Sequence, residues 1–213
     1  MFEEKLIAGR YIKLPISSLA APPGEVGQFA TLTPMNLTLK ESTSFRANST
    51  SVKAKSSDAV LGTSGRKMNR NFQFLHYVPG MVTEVPFNGI DVLTGPMSGC
   101  HIAVYKRNGV LCVGHIGTYM EPTSVKSLAA KQAWNDFAKD NSMHIQGGFQ
   151  PVWMGGSPVA LPEERPVAKL FALVTRDAFY AVSLFPQSND SQHYRIAGIQ
   201  RQQSVDVEVL KKL

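Results

Sequence analysis

Apolar and polar positions alternate in short runs along much of this chain, the period of half-buried strands. His101-Ile102-Ala103-Val104-Tyr105-Lys106 and Val110-Leu111-Cys112-Val113-Gly114-His115-Ile116 both read as strands, with Arg107-Asn108-Gly109 between them. Asn-Gly is the strongest short hairpin signal, because both residues tolerate positive φ. With Asn108 and Gly109 at the centre of the turn, Arg107 pairs with Val110. Counting back, Tyr105 faces Cys112, Ile102 faces His115 and Cys100 faces Gly117. Side chains alternate faces, so Cys100, Ile102, Val104, Leu111, Val113 and His115 share one side. Cys100 and His115 are then diagonal neighbours, ~7–8 Å apart at Cα. Gly117, with no side chain, is expected to leave open space above the sulfur. His101, Tyr105 and Cys112 point the other way, and a slip of one residue would reverse all of this.

The rest of the pattern fills in around that hairpin. Pro15, Pro22, Pro23 and Gly24 break the first forty residues, and Gln28 to Leu39 holds a strand. Residues 41–70 are rich in Ser, Thr and Lys, which predicts a flexible loop. Asn71 to Val78 and Met81 to Phe87 read as strands around a Pro79-Gly80 turn. Glu121 to Asn141 is the one clear helix, with Pro122 near its start and Thr123 or Ser124 as its cap. Its predicted apolar stripe is Val125, Leu128, Ala129, Ala133 and Phe137, and Trp134 lies close to it. The Gly- and Pro-bearing stretch 146–166 predicts a long loop, in which Trp153 is an anchor or part of a substrate wall. Val167 to Thr175 and Ala178 to Phe185 form a second hairpin about Arg176-Asp177, apolar on both faces as central strands are. His193 to Gln200 and Val205 to Leu210 complete the strands. Mostly antiparallel strands with one or two helices make an α+β protein.

Composition adds bounds. The chain has 213 residues, 43% apolar and 18% charged, which suits a globular fold of one domain, 1–213, with residues 1–70 its least patterned part. No run of apolar residues is long enough to span a bilayer. The start, Met1-Phe2-Glu3-Glu4-Lys5, lacks the layout of a secretory signal, so export would use a route without a cleaved one. The net charge is +6. The charges are scattered and no nucleic-acid-binding motif is present, so direct nucleic-acid binding is not expected. A basic surface also suits an acidic protein partner.

The candidate chemistry lies in Leu93-Thr94-Gly95-Pro96-Met97-Ser98-Gly99-Cys100 and the histidine that the hairpin returns to it. Imidazole takes a thiol proton, thiolate attacks a carbonyl carbon, and imidazolium protonates the leaving group. Only Cys100 and Cys112 exist, on opposite faces in this register, which argues against a disulfide. Cys112 reads as a small buried hydrophobe and Cys100 as the reactive thiol, ionising more readily than a free one. Zinc held by Cys100, His101, Cys112 and His115 is the metal alternative. It lacks paired Cys-x-x-Cys spacing and splits its ligands between faces. A buried cysteine and histidine that only pack remain a competing reading.

Met97-Ser98-Gly99-Cys100 resembles the Leu-Ser-Gly-Cys motif of the cysteine-histidine glutamine deamidases. That group includes the cytotoxic necrotizing factor catalytic domain, Burkholderia lethal factor and the chemoreceptor glutamine deamidase. The threonine six residues before the cysteine in some members is matched by Thr94; in others a backbone carbonyl takes its place. The Cys100-to-His115 spacing is similar to that of the necrotizing factors. The likeness covers Asp91 to Thr118. It implies a central β-sandwich or layered sheet flanked by helices. Cys100 would be the nucleophile, His115 the acid/base and Thr94 the group orienting it, with Asp91 and Asn88 as alternatives for that last role. Backbone N–H groups near Gly99 and Cys100 would form the oxyanion hole. No cofactor and no metal are implied. The substrate would be a host regulatory protein, such as a GTPase or translation factor, and the protein a toxin or effector. Transglutamination, peptide cleavage, or a non-catalytic β-rich binding module are the alternatives.

Overall fold

The structure is a computed structural model that describes residues 2–14, 25–42, 60–62, 70–119, 121–141, 144–155, 168–187 and 190–213. Strands predominate over helix, in an α+β protein with two sheets. A short 3-10 turn, Glu3–Lys5, precedes β1 (Tyr11–Lys13), β2 (Phe29–Thr31), β3 (Met35–Ser42) and β4 (Val60–Gly62). Then come β5 (Arg70–Leu75), β6 (Val82–Pro86), β7 (Asp91–Met97), β8 (His101–Arg107) and β9 (Val110–Ile116). Helix α1 (Val125–Asn141) leads to β10 (Ile145–Phe149), β11 (Lys169–Val174), β12 (Phe179–Gln187), β13 (Asp190–Gln202) and the one-turn α2 (Val207–Leu210). One sheet has eight strands in the order β1-β13-β12-β11-β7-β5-β3-β4, the other five in the order β10-β8-β9-β6-β2. Most pairings are antiparallel; β2–β6, β3–β4 and β5–β7 are parallel.

Three apolar clusters explain the pattern of burial. Phe2, Leu6, Ile12 and Leu14 from the N-terminal segment cover one face of the eight-stranded sheet, against Phe72, Leu93, Phe171 and Ile196. The opposite face contributes Leu75, Val92, Ala172 and Val174 to a cluster shared with Val85, Ile102, Val104 and Val113 of the five-stranded sheet. The far face of that second sheet holds Tyr105, Cys112 and Ile116 against Ala130, Trp134 and Ala138 of α1. β8 is therefore covered on both faces, which is why Ile102 to Tyr105 are all buried in an unbroken apolar run.

Several sequence expectations need correction. The α1 stripe holds in part: Ala133 and Phe137 pack against the sheet as expected, but Val125 and Leu128 face solvent, while Trp134 is fully buried and its indole N–H reaches the Leu210 carbonyl. Val205 to Leu210 is not a strand. Asp206 caps a helical turn by accepting from the Glu208 N–H at 2.8 Å, and Leu210, not Val209, is buried. The valine alternation there is incidental. Gln28 to Leu39 is two strands in different sheets. The first residues of the loop expected over 146–166 belong to β10, and 156–166 lie outside the described residues; β7 runs through Gly95 and Pro96 despite their turn composition. The Arg176-Asp177 hairpin is present. The strands on either side of Pro79-Gly80 belong to different sheets. The expected polar loop keeps strand at Glu41 and Ser42, Val60–Gly62 and Arg70; its remainder, 43–59 and 63–69, lies outside the described residues, as do Pro15, Pro22, Pro23 and Gly24. No helix among the described residues is long and apolar enough to cross a membrane.

Candidate active site

The Asn108-Gly109 turn sets the register. Asn108 and Gly109 have φ of 51° and 78°, Arg107 pairs with Val110, Tyr105 with Cys112 and Ile102 with His115. This is the register expected from the sequence. Cys100 sits with Ile102, Val104 and Val113 between the sheets, while Cys112 packs on the α1 side, and both cysteines are free. The split also disposes of the four-ligand zinc arrangement, since Cys112 and His101 lie across the sheet from Cys100 and His115.

Thr94 comes from the other sheet. It lies inside β7, paired with Ala172 and Leu75, not on the approach to a turn. Its hydroxyl oxygen is 2.6 Å from His115 Nδ1, and both residues are wholly buried. When Nδ1–H donates to Thr94 Oγ1, Nε2 is left with a lone pair, the tautomer a general base needs. His115 Nε2 is buried and has no hydrogen-bond partner among the described residues. Asp91 and Asn88, the other candidates to orient His115, are engaged elsewhere: Asp91 accepts from the Phe2 N–H and Asn88 from Gln73.

The chain crosses between the sheets twice beside this pair. Ser98-Gly99 leads from β7 to β8 and delivers Cys100. Residues 76–81 lead from β5 to β6 and lie over the site. A Cβ on Gly117 would stand 2.2 Å from the Val78 carbonyl oxygen and 2.9 Å from that of Met81. The missing side chain therefore admits a crossing backbone, and the open space expected above the sulfur is filled. Tyr77 in this crossing lays its ring on His115, with centroids 5.0 Å apart, and donates its hydroxyl to the Thr118 carbonyl at 3.0 Å. The Cys100 thiol donates to the same carbonyl oxygen at 3.1 Å. Thr118 is fixed in turn, its hydroxyl donating to the Gly99 carbonyl at 2.7 Å. Tyr77 and Thr118 are the neighbours that sequence reasoning missed. An aromatic ahead of Pro79-Gly80 carries no signal beyond strand propensity.

Electrostatics follow from burial. The Cys100 thiol is pushed up to about 11 by desolvation, only partly offset by its contacts with Thr118 and Ser98. This corrects the expectation of a readily ionised thiol: turn N–H groups do not outweigh a dry surrounding. His115 is held down to about 3 by desolvation and secondarily by His76. Thiol and imidazole are both neutral in this closed arrangement.

A cleft of about 750 Å³ opens elsewhere, lined by Phe87, Val104, Leu111 and Phe179 near the β11–β12 turn. It lies toward the opposite end of β8 from Cys100. Its Thr175, Gln202 and Ser204 side chains are already bonded to the protein's own backbone. Trp153 is half-buried, in a segment tied down by Gln200 and Gln202. The sequence matches no protein-family model and no curated protein.

Proposed function

We propose that this chain is a cysteine-dependent protein-glutamine deamidase built on layered sheets with α1 outside. The observation that carries the reading is the 2.6 Å bond from Thr94 to His115 Nδ1, made across two sheets, with Cys100 on the same face as His115. A second support is His115 Nε2, a buried nitrogen with no hydrogen-bond partner among the described residues. Such a group costs about 1–3 kcal/mol, which a proton-transfer role explains.

In the proposed reaction the thiol proton passes to Nε2 once the sulfur turns from Thr118. The thiolate adds to the carboxamide carbon of a protein glutamine. The tetrahedral intermediate collapses, the C–N bond breaks, and the imidazolium gives its proton to the departing ammonia. Water, deprotonated by His115, cleaves the thioester to release glutamate. By its resemblance to the toxin deamidases, the substrate would be a regulatory host protein such as a GTPase or translation factor.

The test is a mass-spectrometric comparison of proteins exposed to wild type or to Cys100→Ser. The expected result is glutamine-to-glutamate conversion on a restricted set of sites with wild type only. Equal conversion by both would end the proposal. Complete burial of Cys100 and His115 favours a second reading, a β-rich binding module whose cysteine merely packs. A Cys100 thiol inert to every electrophile under native conditions would decide for it.

A further inference from the structure

The Thr118 carbonyl oxygen receives two donors at once, Cys100 Sγ at 3.1 Å and Tyr77 Oη at 3.0 Å. A nucleophilic sulfur and an independent hydroxyl thus converge on a carbonyl oxygen that belongs to neither strand of the Cys–His hairpin's paired region. An oxyanion formed at an acyl carbon attacked by Cys100 is one atom removed from the sulfur, in the neighbourhood that the Thr118 oxygen fills here. We propose that Tyr77 is a catalytic residue whose hydroxyl donates to the oxyanion when the acyl group of a substrate displaces the Thr118 carbonyl. This rests on the reading of Cys100 as an acyl-accepting nucleophile.

The chemistry of Tyr77 suits the task. Its separation from the oxygen falls within the ~2.7–3.1 Å window of oxyanion donors. Burial pushes its pKa upward, so the phenol stays a neutral donor through neutral pH. Its ring lies on His115, which fixes the hydroxyl relative to the base without a second hydrogen bond. Displacing the Thr118 carbonyl requires residues 118–119 to shift against two restraints, the Thr118 hydroxyl on the Gly99 carbonyl and the Tyr119 N–H on Ser127 Oγ at 2.8 Å. The Thr118 carbonyl is then both a plug on the resting thiol and a stand-in for the substrate's carbonyl.

The experiment compares two reagents of similar size on the full-length chain, reading the Cys100 adduct by peptide mass spectrometry over time. With p-nitrophenyl acetate, an S–C bond forms at a carbonyl carbon, the thiol proton is lost and p-nitrophenolate leaves after an oxyanion intermediate. With p-nitrobenzyl bromide, the S–C bond forms at a saturated carbon, bromide leaves and no oxyanion arises. Tyr77→Phe keeps the ring on His115 and removes only the hydroxyl. The ratio of acylation to alkylation rates at Cys100 is expected to fall roughly a hundredfold, the effect of losing one such donor. Changes in access move both rates and leave the ratio alone. An unchanged ratio overturns the inference. A Cys100 inert to both reagents in the wild type overturns it together with the nucleophile assignment. A lowered ratio with no protein glutamine converted would retain Tyr77 as the donor and discard the deamidase reading.

Discussion

Acid should unfold this protein through His115. The residue is wholly buried, bonded at Nδ1 to Thr94, and held down to about 3 from an ordinary 6.5. The folded state thus binds the proton more weakly than the unfolded chain. For a depressed pKa of this kind the stability is present above 6.5 and is lost as pH falls toward 3. Between pH 7.5 and 4.5 the unfolded histidine gains its proton over about two units below its own pKa, while the folded one remains neutral. At ~1.36 kcal/mol per unit, the loss is roughly 3 kcal/mol from this one group. Other groups titrate in the same window, including His101, lowered to about 4, and His76, also lowered by burial. The quantity to measure is therefore a difference. Urea unfolding of wild type and His115→Asn at both pH values gives four stabilities, and the contributions of shared groups largely cancel. The wild type should lose roughly 3 kcal/mol more than the variant on acidification. Parallel losses would show that His115 titrates in the folded state as it does in solvent, and that the dry inter-sheet environment is not maintained.

Thr94→Val should destabilise the fold by about 1–3 kcal/mol in chemical denaturation, since it strands a buried Nδ1, whereas Thr94→Ser should restore most of that. Alkylation of Cys100 at neutral pH should run about a hundredfold slower than for an ordinary thiol, because a rise from 9.0 to about 11 cuts the thiolate fraction by that factor; the rate should climb toward pH 11, and a plateau near pH 7 would contradict the burial argument. Gly117→Ala should cost at least ~1–3 kcal/mol by thermal unfolding, because the added Cβ meets backbone oxygen that has no rotamer to escape through; a neutral result would mean that the crossing at Val78 does not lie where described.

The parts of this architecture legible in the sequence are those fixed by local chemistry. Asn108-Gly109 tolerates positive φ at two successive positions, and that alone sets every pairing from Arg107–Val110 to Ile102–His115. The Arg176-Asp177 hairpin follows from similar signals. What alternation cannot say is whether a face is covered. It put Cys100 and His115 on one side, yet gave no sign that a second sheet closes over that side. The burial, the raised thiol pKa and the contacts of Tyr77 all follow from that closure. β7 was hidden because Gly95-Pro96 has turn composition, although its flanks pair with β5 and β11. On α1 the pattern identifies Ala133 and Phe137 but misleads at Val125 and Leu128, which are more hydrophobic than Ala130 and Ala138, because the small residues let the helix approach the sheet around Trp134.

The bond between Thr94 and His115 joins residues whose strands never hydrogen-bond to each other, so nothing in either sheet's own ladder holds it at length. Among the described residues, what seats one sheet on the other is the apolar contact of Leu75, Val92, Ala172 and Val174 with Val85, Ile102, Val104 and Val113, together with the two chain crossings beside the site. A relative slide of about 1 Å is enough to convert a short hydrogen bond into none, and it would leave both ladders intact. Orientation of the imidazole is thus a gauge of how the two halves of the protein are seated. Trimming Val92 or Val113 should degrade that orientation before it melts the fold, and hydrostatic pressure should do so reversibly.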